Sequence, residues 1–335
     1  MRYTKKTKFG RSLLVFAFLI PFSVKVVFTG GPVLAQSQAI SQAHQITHVD
    51  IATPALSPDG KRIVFEQVVE GKEQLFVMDL DGSNSVQLTH GPNGHENPAW
   101  SPDGQKLALV SDEGDQQVIY TMNTDGTAMR PVTARIGHAI HPNWSPDSKS
   151  VIYCSSDDLH PPQKNPAEIY SVTVDTNKIV TLIAGGINTY PSWSPDGKKI
   201  VFRKIINGNN SEIFVANADG SDPRNLSNNP AFDGWPSWSP DGARIAFASN
   251  RPGNYKIFLM NADGSNVRLL ADSKGRATEP RWSPDGTTVF FTNCQKVDEG
   301  TDCQIFAANA HAETSGNQNK KLGEEIGSAF SSPKQ

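Results

Sequence analysis

One pentapeptide recurs six times along this chain. The copies read Leu56-Ser57-Pro58-Asp59-Gly60, Trp100-Ser101-Pro102-Asp103-Gly104, Trp144-Ser145-Pro146-Asp147-Ser148, Trp193-Ser194-Pro195-Asp196-Gly197, Trp238-Ser239-Pro240-Asp241-Gly242 and Trp282-Ser283-Pro284-Asp285-Gly286. Their prolines are spaced by 44, 44, 49, 45 and 44 residues. A fixed period of this length means that the chain is an array of one supersecondary unit.

Each copy leads into a short apolar run, such as Ile63-Val64-Phe65, Ile200-Val201-Phe202 or Ile245-Ala246-Phe247, with the β-branched and aromatic composition of a strand. A second run follows, as in Leu75-Phe76-Val77-Met78 or Ile257-Phe258-Leu259-Met260, closed by turns such as Asn217-Ala218-Asp219-Gly220. A polar-then-apolar strand comes after the turn, for example Val86-Gln87-Leu88-Thr89. With the stretch before Trp-Ser-Pro, the unit holds four strands in roughly 45 residues, the size of one propeller blade. The reading is therefore an all-β, six-bladed β-propeller of four-stranded antiparallel blades. A four-stranded sheet this small cannot bury its own faces, so the blades must stack around an axis, with the repeated tryptophans between them. In each corner Pro presets φ, Asp bonds amides ahead of it, and Gly supplies a left-handed position.

The sixth blade supplies three strands, ending in Gln304-Ile305-Phe306-Ala307, so a fourth must come from elsewhere. Gln45-Ile46-Thr47 precedes the first corner as Gln87-Leu88-Thr89 precedes the second, which favours an N-terminal strand closing the ring. The rival is Lys320-Lys321-Leu322.

The ends have their own signals. Arg2, Lys5, Lys6, Lys8 and Arg11 precede an apolar stretch from Ser12 to Ile20 and small residues around Val33-Leu34-Ala35, the build of a secretory signal cut after Ala35. The apolar run is too short to span a bilayer, so no membrane span is expected after processing. The expected organisation is a signal peptide at 1–35, the propeller at 36–312 and a polar, disordered tail at 313–335. The chain would then be periplasmic or secreted. Cys294 and Cys303 flank a hairpin tip in that oxidising setting and are expected to form a disulfide, while Cys154 reads as a small buried apolar residue.

With 31 basic and 34 acidic residues, charge points to no nucleic acid or other polyanion partner. Ligands of propellers bind where the inner strands converge, and here the segments before each corner carry a fixed Pro with varying neighbours. Those neighbours, chiefly Glu96, Asn97, His141, Tyr190, Trp235 and Glu279, are the candidate ligand-binding residues. Tyr190 and Trp235 are expected in exposed segments, as anchors for a protein surface. His95, Glu96, His138 and His141 include the donor types of a metal site, but their spacing matches no compact signature. Asp79-Leu80-Asp81-Gly82-Ser83-Asn84 opens like a calcium loop and lacks the closing Glu, so a hairpin turn is the reading. The chain has no Gly-x-Ser-x-Gly, and no catalytic residue, metal or cofactor is assigned.

The Trp-Ser-Pro-Asp-Gly corners and Asn-x-Asp-Gly turns resemble the TolB-like β-propeller family, a WD-like repeat family, from about residue 45 to 310. The resemblance implies a propeller that binds a protein or cell-envelope component and is not an enzyme; the expected departure from the Tol-system protein is a stand-alone propeller without its N-terminal α/β domain, since only about ten residues lie between the expected cleavage site and the first repeat-like segment. The alternative is a metal-dependent polysaccharide lyase or hydrolase using the His-rich segments, since propeller-fold oligogalacturonate lyases bind metal through histidines at a channel mouth.

Overall fold

The computed structural model describes residues 43–45, 52–134, 138–155, 166–208, 210–297 and 300–311. The segments read as a signal peptide and a polar tail, and the rival closing strand at 320–322, lie outside them. Six four-stranded antiparallel sheets make six blades. The first, innermost strands are Ala52–Leu56, Gly94–Trp100, Ile140–Trp144, Ile187–Trp193, Asp233–Trp238 and Arg276–Trp282. They lie side by side around the axis, blade 6 meeting blade 1. Among the described residues no helix is long and apolar enough to cross a membrane.

The second strands fill the space between blades. Lys106–Asp112 is buried over its whole middle and Ser150–Cys154 from Val151 onward, so both faces pack against neighbouring sheets. The fourth strands are short, two residues each in blades 1, 2 and 4, which leaves little unpaired edge at the rim.

The ring closes through the N-terminal strand. His44–Gln45 pairs antiparallel with Gly300–Asn309, His44 opposite Ala307 and Gln45 opposite Phe306, as the fourth strand of blade 6. It is placed one residue earlier than Gln45-Ile46-Thr47, and residues 46 and 47 lie outside the described set. In the same blade the sulfurs of Cys294 and Cys303 are bonded, with Cα atoms 4.0 Å apart.

The corner motif is a closed set of hydrogen bonds. In the first copy the Ser57 hydroxyl donates to Asp59 Oδ1 at 2.6 Å and accepts from Arg62 N at 2.9 Å, while Lys61 N donates to the same carboxylate oxygen at 3.1 Å. Serine thus joins the Asp to the first amide of the second strand. The one copy without glycine holds Ser148 at φ 60° and uses its hydroxyl to accept from Asp103 N of the preceding corner at 3.1 Å.

The Asp79 to Asn84 segment is a turn, with Asp81 Oδ1 accepting from Ser83 N at 2.9 Å. The same turn in three later blades backs onto a carbonyl of the preceding blade. A Cβ on Gly126 would sit 2.6 Å from Leu88 O, and one on Gly264 2.7 Å from Leu226 O, so glycine is required there.

The corner tryptophans are not equivalent. Trp100, Trp144 and Trp282 are buried, and their indole nitrogens donate to Ala55 O, Ala99 O and Ser237 O of the preceding blade at 3.0, 3.0 and 3.1 Å. Trp193 and Trp238 are only half-buried, and their indole N–H groups have no partner among the described residues.

Candidate functional site: the channel mouth

All six innermost strands break register at the same place, between Ala52 and Ala55, Glu96 and Ala99, Ile140 and Asn143, Thr189 and Ser192, Gly234 and Ser237, and Thr278 and Arg281. At each break the residue before the proline is left-handed. Thr53, Asn97, His141, Tyr190, Trp235 and Glu279 have φ of 52°, 50°, 56°, 52°, 53° and 57°. Proline cannot give an amide to a ladder, so the strand bulges there and turns the preceding side chain toward the axis. The sequence reading places these residues in loops feeding the mouth; they stand instead at bulges inside the strands. Left-handed backbone at Thr, Tyr or Trp costs on the order of 1–3 kcal/mol each and persists only where surroundings fix it.

The six side chains form a ring at the waist of the channel. Above it a chamber of about 430 Å³ is lined by Thr53, Asn97, His141, Tyr190 and Glu279 with Glu66, Glu96 and His138. The waist encloses only about 60 Å³, room for about two waters. Below, a vestibule of about 450 Å³ opens among the corner tryptophans. A group entering from the chamber therefore stops at the ring.

Blades 3, 4 and 5 supply an aromatic arc. His141 stacks on Tyr190 with centroids 3.7 Å apart, and Tyr190 meets Trp235 at 5.4 Å. Behind them Arg203, fully buried, lies over Tyr190 at 4.6 Å and over Trp235 at 5.5 Å, and its Nε donates to Thr189 Oγ1 at 2.8 Å. A Cβ on Gly234 would come within 3.1 Å of Arg203 Cδ, so the glycine before Trp235 makes room for the guanidinium stem. Arg276 covers the outer side, 5.4 Å from Trp235 and 4.9 Å from Tyr255. Trp235 is thus 7 % exposed, a correction to its expected exposure: cationic and aromatic neighbours seal it from several sides. Tyr190 is half-buried and faces the chamber.

Blades 6, 1 and 2 supply a polar arc. The bulged amide of Asn97 donates to Glu66 Oε1 at 2.5 Å. That of Thr53 donates to Thr292 Oγ1 at 3.2 Å, and the same hydroxyl donates to Glu279 Oε2 at 3.2 Å. Burial, reinforced by the neighbouring Glu279 charge, pushes the Glu66 carboxyl up to about 8, although it keeps some access to the chamber. Burial likewise raises Glu96, which lies one residue before the bulge, with Glu73 and Asp112 adding repulsion. Arg281, at the foot of the arc, is pulled down by burial and held up by Glu279.

The histidine set does not converge. His95 is buried with Nδ1 3.2 Å from Gln74 Oε1, and burial lowers its pKa. His138 is exposed, and His141 Nδ1 lies 3.4 Å from the buried Cys154 sulfur. Among the described residues no group of three or more His, Cys, Asp or Glu side chains is placed to hold a metal ion.

Sequence reasoning missed Thr53, Glu66, Arg203 and Thr292. The last three occupy one position, just past the apolar run of the second strand, where the other blades carry Val110, Cys154 and Ala248. For Glu66 and Arg203 the available signal was a charged residue directly after a fully buried apolar run.

The TolB beta propeller domain family matches residues 33–185 and 160–324. Among solved structures, the TolB-type protein of Agrobacterium tumefaciens is similar at 26% identity and a TM-score of 0.63, with 81% of this chain covering 99% of that one. TolB from Acinetobacter baumannii is similar at 22% identity and a TM-score of 0.63, over 76% of this chain and 65% of the other, so this chain spans under two thirds of that protein. Oligogalacturonate lyase from Vibrio parahaemolyticus, at 13% identity and a TM-score of 0.52 over 82% and 92% of the two chains, shares the fold alone. No curated protein matches. Six blades, their corner motif and a match running through nearly all of them place this chain in the TolB β-propeller domain family.

Proposed function

We propose that this chain is an exported, periplasmic or secreted binding protein without catalytic activity, and that it takes a segment of a protein or cell-envelope partner at the channel mouth. The observation that carries the reading is the ring itself. Six left-handed positions repeat one backbone geometry, yet carry six different side chains. The geometry is common to the fold, so the differences are free to encode a ligand. A mouth that narrows from about 430 Å³ to about 60 Å³ suits an inserted side chain.

Tyr190 and His141 offer a flat ring surface, Asn97, Glu96 and Glu279 offer polar contacts, and Trp235 backs Tyr190. Among the described residues the histidines are scattered and form no three-donor group of the kind the lyase alternative would use. The test is capture from an envelope extract by the immobilised chain, with Tyr190→Ala, Glu279→Gln and their combination as comparisons. The double variant is expected to lose the captured protein while remaining folded. Undiminished capture by a folded double variant would remove the mouth as the binding site.

A further inference from the structure

Six copies of one joint let each blade junction be compared with the rest. The second strand opens at equivalent positions with Arg62, Lys106, Ser150, Lys199, Arg244 and Thr288. Where that residue is arginine, its guanidinium lies over the corner tryptophan of the next blade, Arg62 at 5.0 Å from Trp100 and Arg244 at 4.8 Å from Trp282. In both junctions the indole is also bonded to the preceding blade.

Between blades 4 and 5 both fastenings are missing. Lys199 Nζ donates sideways to Asn217 Oδ1 at 2.6 Å, and the half-buried Trp238 has an indole N–H without a partner. The space between is a groove of about 610 Å³, walled by Trp238 and Val215 and rimmed by Asp196, Asp241 and Asp263. We propose that this groove binds a guanidinium group, the arginine side chain of a partner protein, stacked on Trp238 as Arg62 and Arg244 stack on their own tryptophans.

The rim has the matching charge. Each of the three aspartates uses Oδ1 within its own turn, accepting from Ser194, Ser239 and Ser265 hydroxyls at 2.7, 2.5 and 2.6 Å. Those bonds hold all three carboxyls below the usual range, so they stay ionised; Asp196 Oδ2 also lies 3.9 Å from the exposed Lys198 Nζ. The two basic residues of the groove are engaged elsewhere, Lys199 with Asn217 and Arg224 with Asp222 at 3.8 Å. A guanidinium fits better than an ammonium, because its planar, weakly hydrated face stacks while its edge donates to carboxylates. The groove lies at the corner end of the first strands, so the proposal stands independently of the mouth reading.

The test titrates N-acetyl-argininamide into the ¹⁵N-labelled full chain and follows the indole resonances, with Trp238→Phe assigning one of them. The Trp238 signal is expected to move saturably with the arginine amide and not with N-acetyl-leucinamide at equal concentration. Lys199→Arg, which supplies the internal stack of the two arginine junctions, is expected to weaken the binding by about tenfold. Arg224→Glu, at an exposed position, adds a carboxylate and is expected to tighten it, which decides the matter if Lys199→Arg folds poorly. Equal shifts with both amides, or a titration that neither variant alters, would overturn the proposal.

Discussion

Blades 3 to 5 and blades 6, 1 and 2 contribute three residues each to the same ring, and they hold them differently. In the aromatic arc the strained positions are fixed by packing: His141, Tyr190 and Trp235 lean on one another and on the buried stem of Arg203. In the polar arc they are fixed by capture of the amide that the bulge sets free, Asn97 N by Glu66 and Thr53 N by Thr292. Packing is blind to pH and salt. Capture by a carboxyl is not, so the polar arc carries a titratable support at Glu66.

The largest expected effect is in the aromatic arc. Arg203→Ala removes a fully buried side chain that backs two rings, and is expected to cost about 3 kcal/mol or more in urea unfolding. Gly234→Ala, which pushes a methyl toward the same stem from 3.1 Å, is expected to cost about 1–3 kcal/mol by overpacking. If both variants unfold at the parental midpoint, the arc is not held by Arg203.

The polar arc is expected to show itself in pH dependence. The Glu66 carboxyl sits near 8 in the folded chain against 4.5 unfolded, so the folded state binds the extra proton in that window. Stability should therefore be highest at the acid end of this window and fall as pH rises from 4.5 toward 8. Because Glu66 retains access to water, the loss attributable to it is expected at roughly 2 kcal/mol, not the full shift. Glu66→Gln should flatten this slope across urea midpoints taken from pH 5 to 8.5, whereas a slope unchanged in the variant assigns the titration to another group.

The propeller itself was legible because one requirement is repeated: six corners need Ser, Pro, Asp and Gly in the same order, and the spacing then counts blades. Five of the six ring residues, all but Thr53, were legible for a related reason, a fixed Pro beside a varying neighbour. What stayed hidden depends on register across blades. Nothing local says that Glu66 of blade 1 reaches the Asn97 amide of blade 2, or that Thr292 of blade 6 serves Thr53 of blade 1, since these pairs are 31 and 239 residues apart. Trp235 misled for the same reason, because Arg203, Tyr190 and Arg276, which cover it, come from other blades or other strands.

The smallest stability effect sharpens the same contrast. Thr292→Val keeps the shape but removes the acceptor for the buried Thr53 amide, and is expected to cost about 1–2 kcal/mol without altering the pH slope set by Glu66. A change in that slope would tie the two supports into one network.

The claim that the ring is where a partner enters is tested most directly by crosslinking. A photoreactive benzoylphenylalanine is placed at Asn97, on the ring, or at Val86, 57% exposed on the outer strand of blade 1. Each chain is irradiated in envelope extract. The account predicts a discrete adduct from position 97 that is lost when Tyr190→Ala and Glu279→Gln are added, and none from position 86. An adduct from position 86 with none from position 97 would contradict it and move the binding surface to the blade edge.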